Sequence, residues 1–96
     1  EVQERLREAS TWRVEARVAQ ALLRLADQAG QSGSGGTKID FPLTRRDIAE
    51  MSGTTLFTAS RILAAWEKAG LIVSDHQRVT IKQHAAIRRI ADELPD

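Results

Sequence analysis

The feature that most constrains this chain is a short helix that stops after about two turns. Thr44 is followed three residues later by Asp47, the spacing at which a hydroxyl and a carboxylate satisfy unpaired backbone donors at a helix N-terminus. Gly53 follows closely, and glycine can take the left-handed conformation in which the backbone reverses direction. The pattern predicts a short helix and then a sharp turn.

A second, amphipathic helix follows the turn at once. Thr54 or Thr55 caps it, and it ends at Gly70, which predicts a helix over residues 55–69. Its apolar residues share one stripe of the helix: Ala59, Ile62, Leu63 and Trp66. We expect Trp66 to be in the core and residues 44–70 to form a helix-turn-helix.

A hairpin is predicted after these helices. Residues 71–73 and 78–82 have strand character, and the polar residues 74–77 between them predict a turn. In a winged helix-turn-helix, the first helix braces the second so that its exposed N-terminal half can enter the DNA major groove. The sequence therefore predicts an α+β, mainly α, fold with a wing over residues 71–82 and a last helix over about residues 83–94.

The N-terminal part is predicted to be helical. Residues 1–29 lack Gly and Pro and repeat apolar residues at helical spacing. Ser10 and Thr11 interrupt the good helix formers, so two interpretations stay open: a second helix capped by Thr11, or one helix with a hinge near Trp12. Trp12 at such a hinge would be placed to contact another domain.

The segment between the first helix and Thr44 is predicted to be irregular. Residues 30–37 are mostly Gly and Ser, which predicts a flexible loop. Residues 38–43 alternate polar and apolar side chains, and Pro42 limits them to a short edge strand.

Length and composition limit the alternatives. With 96 residues, 42% of them hydrophobic, the chain builds one modest core. The net charge of +1 is low for a nucleic-acid binder, so DNA binding must depend on local charge. The absence of cysteine excludes a disulfide framework and a thiolate metal site. Short apolar runs predict a soluble chain without a signal peptide, and the start at Glu1, inside a helical pattern, predicts that something is missing upstream.

Four segments of the chain resemble the C-terminal DNA-binding domains of the CRP/FNR transcription regulators. They are RVAQALLRLA (residues 17–26), LTRRDIAEMSG (43–53), TASRIL (58–63) and EKAGLI (67–72). The resemblance implies a bacterial, cytoplasmic, homodimeric activator or repressor that binds double-stranded DNA at a palindromic site. It implies RNA polymerase as a further partner and no membrane.

The resemblance also implies an arrangement of domains. Residues 1–10, with Val2 and Leu6, would end a dimerisation helix, and residues 11–96 would form the winged-helix domain. A sensory β-barrel would precede them and bind the effector, so no cofactor is expected in this segment. For Val2 and Leu6, packing on this domain is an equal alternative.

The candidate DNA-binding residues follow from the resemblance and from side-chain chemistry. Arg61 matches the arginine that this family's recognition helix directs at a guanine edge, while Thr58 and Ser60 offer hydroxyls nearby. Phe57 either contacts thymine methyl groups or packs on the domain, and we expect Leu56 to pack. The predicted phosphate-binding residues are Lys38, Arg45, Arg46, Thr55 and Arg78, for whose cations solvated surface charge is the alternative.

Two other functions compete with DNA binding. A winged helix used for protein contact would present Leu56 and Phe57 as an exposed apolar anchor on a nearly neutral domain. An enzyme is the weakest hypothesis, because no nucleophile, paired carboxylate or phosphate-binding motif accompanies His76 and His84. These two histidines also lack the further ligands of a metal site.

Overall fold

The computed structural model describes the backbone of residues 2–33 and 35–93, and the side chains from Arg13 onward within those ranges. This part of the chain contains four helices and four strands, which confirms the α+β, mainly α, class. In order they are α1 (Val2–Ala29), β1 (Gly30–Gly33), β2 (Gly36–Ile39), α2 (Arg45–Ser52), α3 (Leu56–Lys68), β3 (Ile72–Asp75), β4 (Arg78–Ile81) and α4 (His84–Asp92). No helix within the described residues is long and apolar enough to cross a membrane.

The strands form a single antiparallel sheet in the order β1-β2-β4-β3. The predicted flexible loop over residues 30–37 is therefore wrong, because β1 pairs with β2 from Gly30 opposite Ile39 to Gly33 opposite Gly36. Gly30 and Gly36 allow neighbouring backbone to come closer than a side chain would permit. A Cβ at Gly30 would clash with the Ala26 carbonyl oxygen, and one at Gly36, where φ is +117°, would clash with the Ile81 carbonyl oxygen.

The edge strand predicted over residues 38–43 is also wrong. Strand β2 ends at Ile39 and lies inside the sheet, where Thr37 and Lys38 are paired with β1 on one side and with β4 on the other. Pro42 lies beyond the strand, so its missing N–H removes no ladder hydrogen bond. The first hairpin and the wing hairpin are consequently one continuous sheet.

Helix α1 is continuous from Val2 to Ala29. Thr11 lies inside this helix, so it is not the N-cap of a second helix. The contacts expected of Val2, Leu6 and Trp12 fall outside the described side chains. Farther along α1, the Gln20 side-chain amide donates to the Ala91 carbonyl oxygen at 3.1 Å and links α1 to α4.

The core lies where α1 packs against the remaining helices and the sheet. Trp66 is only 5% exposed, as predicted, and helix α4 contributes Ile87 and Ala91. Leu94, predicted to extend α4, lies outside the described residues. The largest fully buried apolar side chains are Val18, Leu22, Ile39, Ile48, Ile72, Ile81 and Ile87.

Candidate nucleic-acid interface

Helix α2 begins and ends with the caps predicted from the sequence. The Asp47 backbone N–H donates to the Thr44 hydroxyl and the Thr44 N–H donates to the Asp47 carboxylate, each at 3.0 Å. The hydrogen bonds from the Thr44 backbone and then from its side chain lower the pKa of Asp47 below its usual value. At the other end Gly53 is left-handed, with φ 68° and ψ 38°, and the Thr54 N–H donates to the Ala49 carbonyl oxygen at 2.9 Å.

Two arginines attach α2 to its neighbours. The Arg17 Nε of α1 donates to the Ser52 carbonyl oxygen at 2.7 Å, at the helix end where the macrodipole is negative. Arg45 lies 3.6 Å from a Glu67 carboxylate oxygen of α3. Helix α2 is thus held against α1 and α3, which fixes the direction of α3.

The N-terminus of α3 is capped by a hydroxyl without a carboxylate. The Thr55 hydroxyl accepts from the Thr58 backbone N–H and donates to the Thr58 hydroxyl, each at 3.1 Å. The first turn of α3 carries no acidic residue. The positive end of the helix dipole is therefore not compensated locally and favours an external anion. The helix predicted over residues 55–69 is confirmed as Leu56–Lys68 with its two caps.

Both apolar residues that open α3 are on the surface. Leu56 is 43% exposed and Phe57 is 69% exposed. The expectation that Leu56 packs is wrong: it lies one turn before the buried Ala59 on the same line of the helix, but at the first helical residue, past the edge of the core. Phe57 points away from the buried stripe, so it is not a core residue.

Arg61 lies one turn after Phe57, with its guanidinium carbon over the ring at 5.5 Å from the centroid. Among the described residues, no carboxylate lies within 4 Å of this guanidinium. Aromatic and cationic residues spaced four apart on a helix are neighbours, so the spacing of Phe57 and Arg61 is the sequence signal that could have predicted this pair. The structure presents Arg61 as an exposed arginine that is oriented by an aromatic ring and not by an acid.

An open groove of about 540 Å³ runs between α1 and α3 beside this pair. Glu15 lines it together with Arg61, and burial, followed by the nearby Glu93 carboxylate, raises the pKa of Glu15. Nothing in the sequence singled out Glu15, because it reaches this groove only through the fold, which brings α1 beside α3. Among the side chains that the structure describes, residues 13–33 and 35–93, no group of three potential ligands could hold a metal ion.

The structure separates the predicted base readers from the predicted phosphate binders. Arg61, Phe57, Thr58 and Ser60 lie together on the first two turns of α3, where Thr58 and Ser60 are half-buried. The predicted phosphate binders other than Thr55 are spread over three elements: Lys38 in β2, Arg45 and Arg46 in α2, and Arg78 in β4.

The four predicted phosphate-binding cations differ in their partners. Arg45 is paired with Glu67, and Arg78 lies 3.4 Å from an Asp40 carboxylate oxygen. Lys38 and Arg46 are exposed, and neither has a carboxylate within 4 Å in the described part of the chain. These two cations are therefore the more available to an external phosphate.

The wing turns more tightly than predicted. The strands extend to Asp75 and from Arg78, so only His76 and Gln77 form the turn, both with positive φ (53° and 64°). The Gln77 carbonyl oxygen accepts from the Leu43 N–H at 2.7 Å. This bond holds the wing tip against the segment that precedes α2.

Comparison with known sequences places this arrangement in a family. Residues 16–90 match the Crp-like helix-turn-helix domain. The regulatory protein CysR of Synechococcus elongatus is 41% identical over 63 residues, which cover 62% of this chain and 31% of that protein. The fumarate and nitrate reduction regulatory protein of Escherichia coli is 29% identical over 77 residues, covering 80% of this chain and 31% of its own length. The chain thus spans about a third of the length of these curated relatives.

Solved structures share the fold. A CRP-family transcriptional regulator of Thermus thermophilus superposes with a TM-score of 0.74 at 24% identity, over 98% of this chain and 50% of that chain. The CO-dependent transcription factor CooA of Carboxydothermus hydrogenoformans also gives 0.74, at 26% identity, over 80% of this chain and 36% of its own. The similarity includes the helix-turn-helix and the wing.

Proposed function

Because the chain belongs to the family of Crp-like helix-turn-helix domains, we propose that it reads DNA for a CRP/FNR-like transcription regulator, with α3 in the major groove. The observation that carries this proposal is the exposed N-terminal half of α3. There, Arg61 has no carboxylate partner among the described residues, and the helix end favours an anion.

Arg61 supplies the main base contact in this proposal. A guanidinium can donate two parallel hydrogen bonds to guanine O6 and N7, a contact that discriminates by about 1–3 kcal/mol. Thr58 and Ser60 lie on the same turns and offer hydroxyls to neighbouring base edges. Phe57 is the apolar member of this set.

Phosphate contacts would hold α3 in register. Lys38 and Arg46 are the cations best placed to bind, because they have no carboxylate partner in the described part of the chain. Arg45 and Arg78 would first have to leave Glu67 and Asp40, so we expect them to contribute less. Thr55 adds a helix N-terminus, whose free N–H groups suit a phosphate oxygen.

The proposal extends to the whole regulator, of which the chain would be about a third. Residues 1–10 would end a dimerisation helix, and a sensor domain before them would bind the effector. Two copies would then read the two halves of a palindromic site in the cytoplasm, since two-fold symmetry in the protein matches two-fold symmetry in the DNA. RNA polymerase would be a further partner if the regulator activates transcription.

The test is a binding titration on a chain dimerised by a parallel coiled coil fused before Glu1. Palindromic and random duplexes are compared over a salt series, since phosphate contacts give a steep salt slope. We expect Arg61→Ala to weaken binding to the palindromic duplex by about 5- to 150-fold for each half-site, the range that matches 1–3 kcal/mol for one contact. Arg24→Ala removes an equal charge from the exposed surface of α1 and should not change the preference for that site. Absent or salt-insensitive binding by the verified dimer would contradict DNA reading.

Exposure of Leu56 and Phe57 supports a second candidate, a protein-contact module. A protein-contact module predicts that the same titration shows no preference for the palindromic over the random duplexes. It also predicts that replacing both residues with serine abolishes a protein interaction while Arg61→Ala does not.

A further inference from the structure

We propose that Phe57 and Arg61 act as one composite reader of a thymine next to a guanine. In this arrangement the Phe57 ring contacts the 5-methyl group of the thymine, while Arg61 binds the guanine edge. The inference rests on the proposed function and names the base step that the site selects.

The geometry of the pair leaves the N–H donors of Arg61 free. Its guanidinium carbon lies over the Phe57 ring at 5.5 Å from the ring centroid. A guanidinium has five N–H donors, and none of those of Arg61 is paired with a carboxylate in the described part of the chain. The ring is thus the neighbour of the arginine, and the donors that a guanine contact needs remain available.

Phe57 leaves most of an aromatic ring in water. The ring is 69% exposed, so contact with an apolar surface would remove apolar area from water and lower the free energy. In the major groove the thymine methyl group is the apolar feature among the four base edges, and apolar side chains including Phe contact it. A DNA-reading helix with Phe at this position therefore favours thymine.

The distance between the two groups sets the base step. Ring centre and guanidinium carbon are 5.5 Å apart, and successive bases on a strand are about 3.4 Å apart. An arginine donor lies about 2.9 Å from its acceptor, and apolar atoms touch at about 4 Å. A thymine methyl group on the base pair next to the guanine is therefore within reach of the ring while Arg61 holds the guanine.

The experiment removes only the methyl group. Duplexes are first selected from a random library with the dimerised chain of the binding titration, and 7-deazaguanine, which lacks N7, identifies the guanine that Arg61 contacts. Each neighbouring thymine is then replaced by deoxyuridine. We expect one replacement to weaken binding about fourfold, corresponding to ~0.8 kcal/mol per buried methyl group at 1.4 kcal/mol per tenfold change.

Variants show whether Phe57 causes the deoxyuridine effect. In Phe57→Ala the deoxyuridine effect should disappear, whereas Leu56→Ala, a change at the exposed apolar residue next to it, should keep it. Phe57→Leu retains apolar bulk but has no aromatic ring, so it should keep part of the methyl effect. The thermal melt of Phe57→Ala verifies that loss of the effect in that variant is not loss of the fold.

The outcomes separate the two proposals. If no duplex is retained at any salt concentration, both proposals fail. If Arg61-dependent binding is found but deoxyuridine has no effect, or has the same effect in Phe57→Ala, the composite reader is wrong and DNA reading stands.

Discussion

The thirteen-residue helix α3 has an inner side that packs in the core and an outer side that faces solvent. The inner side is buried and consists of Ala59, Ile62, Leu63 and Trp66. The outer side exposes an aromatic ring and an arginine without a carboxylate partner among the described residues. Burial explains the residues on the inner side, whereas Phe57 and Arg61 contact each other on the surface and add nothing to the core. The proposed DNA binding gives this exposed pair a role.

The largest expected effect comes from emptying the inner side. Trp66→Ala leaves a cavity in the core and should lower the free energy of unfolding by about 3–5 kcal/mol. Phe57→Ala, on the outer side, should change it by less than about 0.5 kcal/mol. Urea denaturation followed by circular dichroism measures both. Similar losses in the two variants would mean that the two sides are not separate.

Sequence reasoning identified the inner side and the helix ends. Helical spacing alone placed Ile62 and Trp66 in the core, and the spacing of Thr44 and Asp47 predicted a cap that the hydrogen bonds confirm. The resemblance, carried by four short segments, predicted the family that residues 16–90 match. These features are local in sequence, so a single chain is sufficient to find them.

Features that depend on distant partners were missed. The first hairpin looked like a flexible linker because its glycines contribute no side-chain pattern. The need for Gly30 and Gly36 shows only in the fold, where α1 and β4 approach their backbone. Leu56 follows the apolar stripe but lies beyond the core edge, which periodicity cannot locate. Glu15 enters the groove only because the fold brings α1 beside α3, which is distant in sequence. The roles of the candidate DNA-binding residues stay predictions.

A smaller effect distinguishes the two N-caps of the helix-turn-helix. Thr44→Ala removes the hydroxyl that caps α2, and Thr55→Ala removes the one that caps α3, so each should cost about 1 kcal/mol of stability. We expect only Thr55→Ala to weaken DNA binding beyond its effect on folding, because the α3 N-terminus faces the proposed phosphate. Denaturation and DNA titration of both variants give this contrast. Equal losses of affinity would contradict it.

The Thr44 cap should also depend on pH. The folded pKa of Asp47 is lowered, so its stabilisation is present above the ordinary value of 3.8 and is lost as the pH falls through the lowered pKa. The stability difference between the wild type and Asp47→Ala should therefore shrink in acid. Denaturation of both proteins over a pH series checks this, and a difference that stays constant or grows in acid would mean that the bond from the Thr44 N–H to the Asp47 carboxylate does not stabilise the fold.

The smallest expected effect lies in the groove, where the outer side of α3 meets α1. The folded pKa of Glu15 is raised above its ordinary value of 4.5 by burial and then by Glu93, so ionisation costs more in the folded chain than in the unfolded one. This cost is absent below the ordinary pKa and is complete once the pH rises above the raised one. Glu15→Gln should therefore stabilise the fold at neutral pH, by about 0.5 kcal/mol or less.

The control for this change is Glu50→Gln, which removes the same charge from an exposed position on α2. Chemical denaturation of both variants and the wild type at neutral pH and at pH below 4.5 gives the comparison. The gain in Glu15→Gln should vanish in acid, where Glu15 itself is protonated. A gain that persists there would come from the shape of the amide and not from the charge of Glu15.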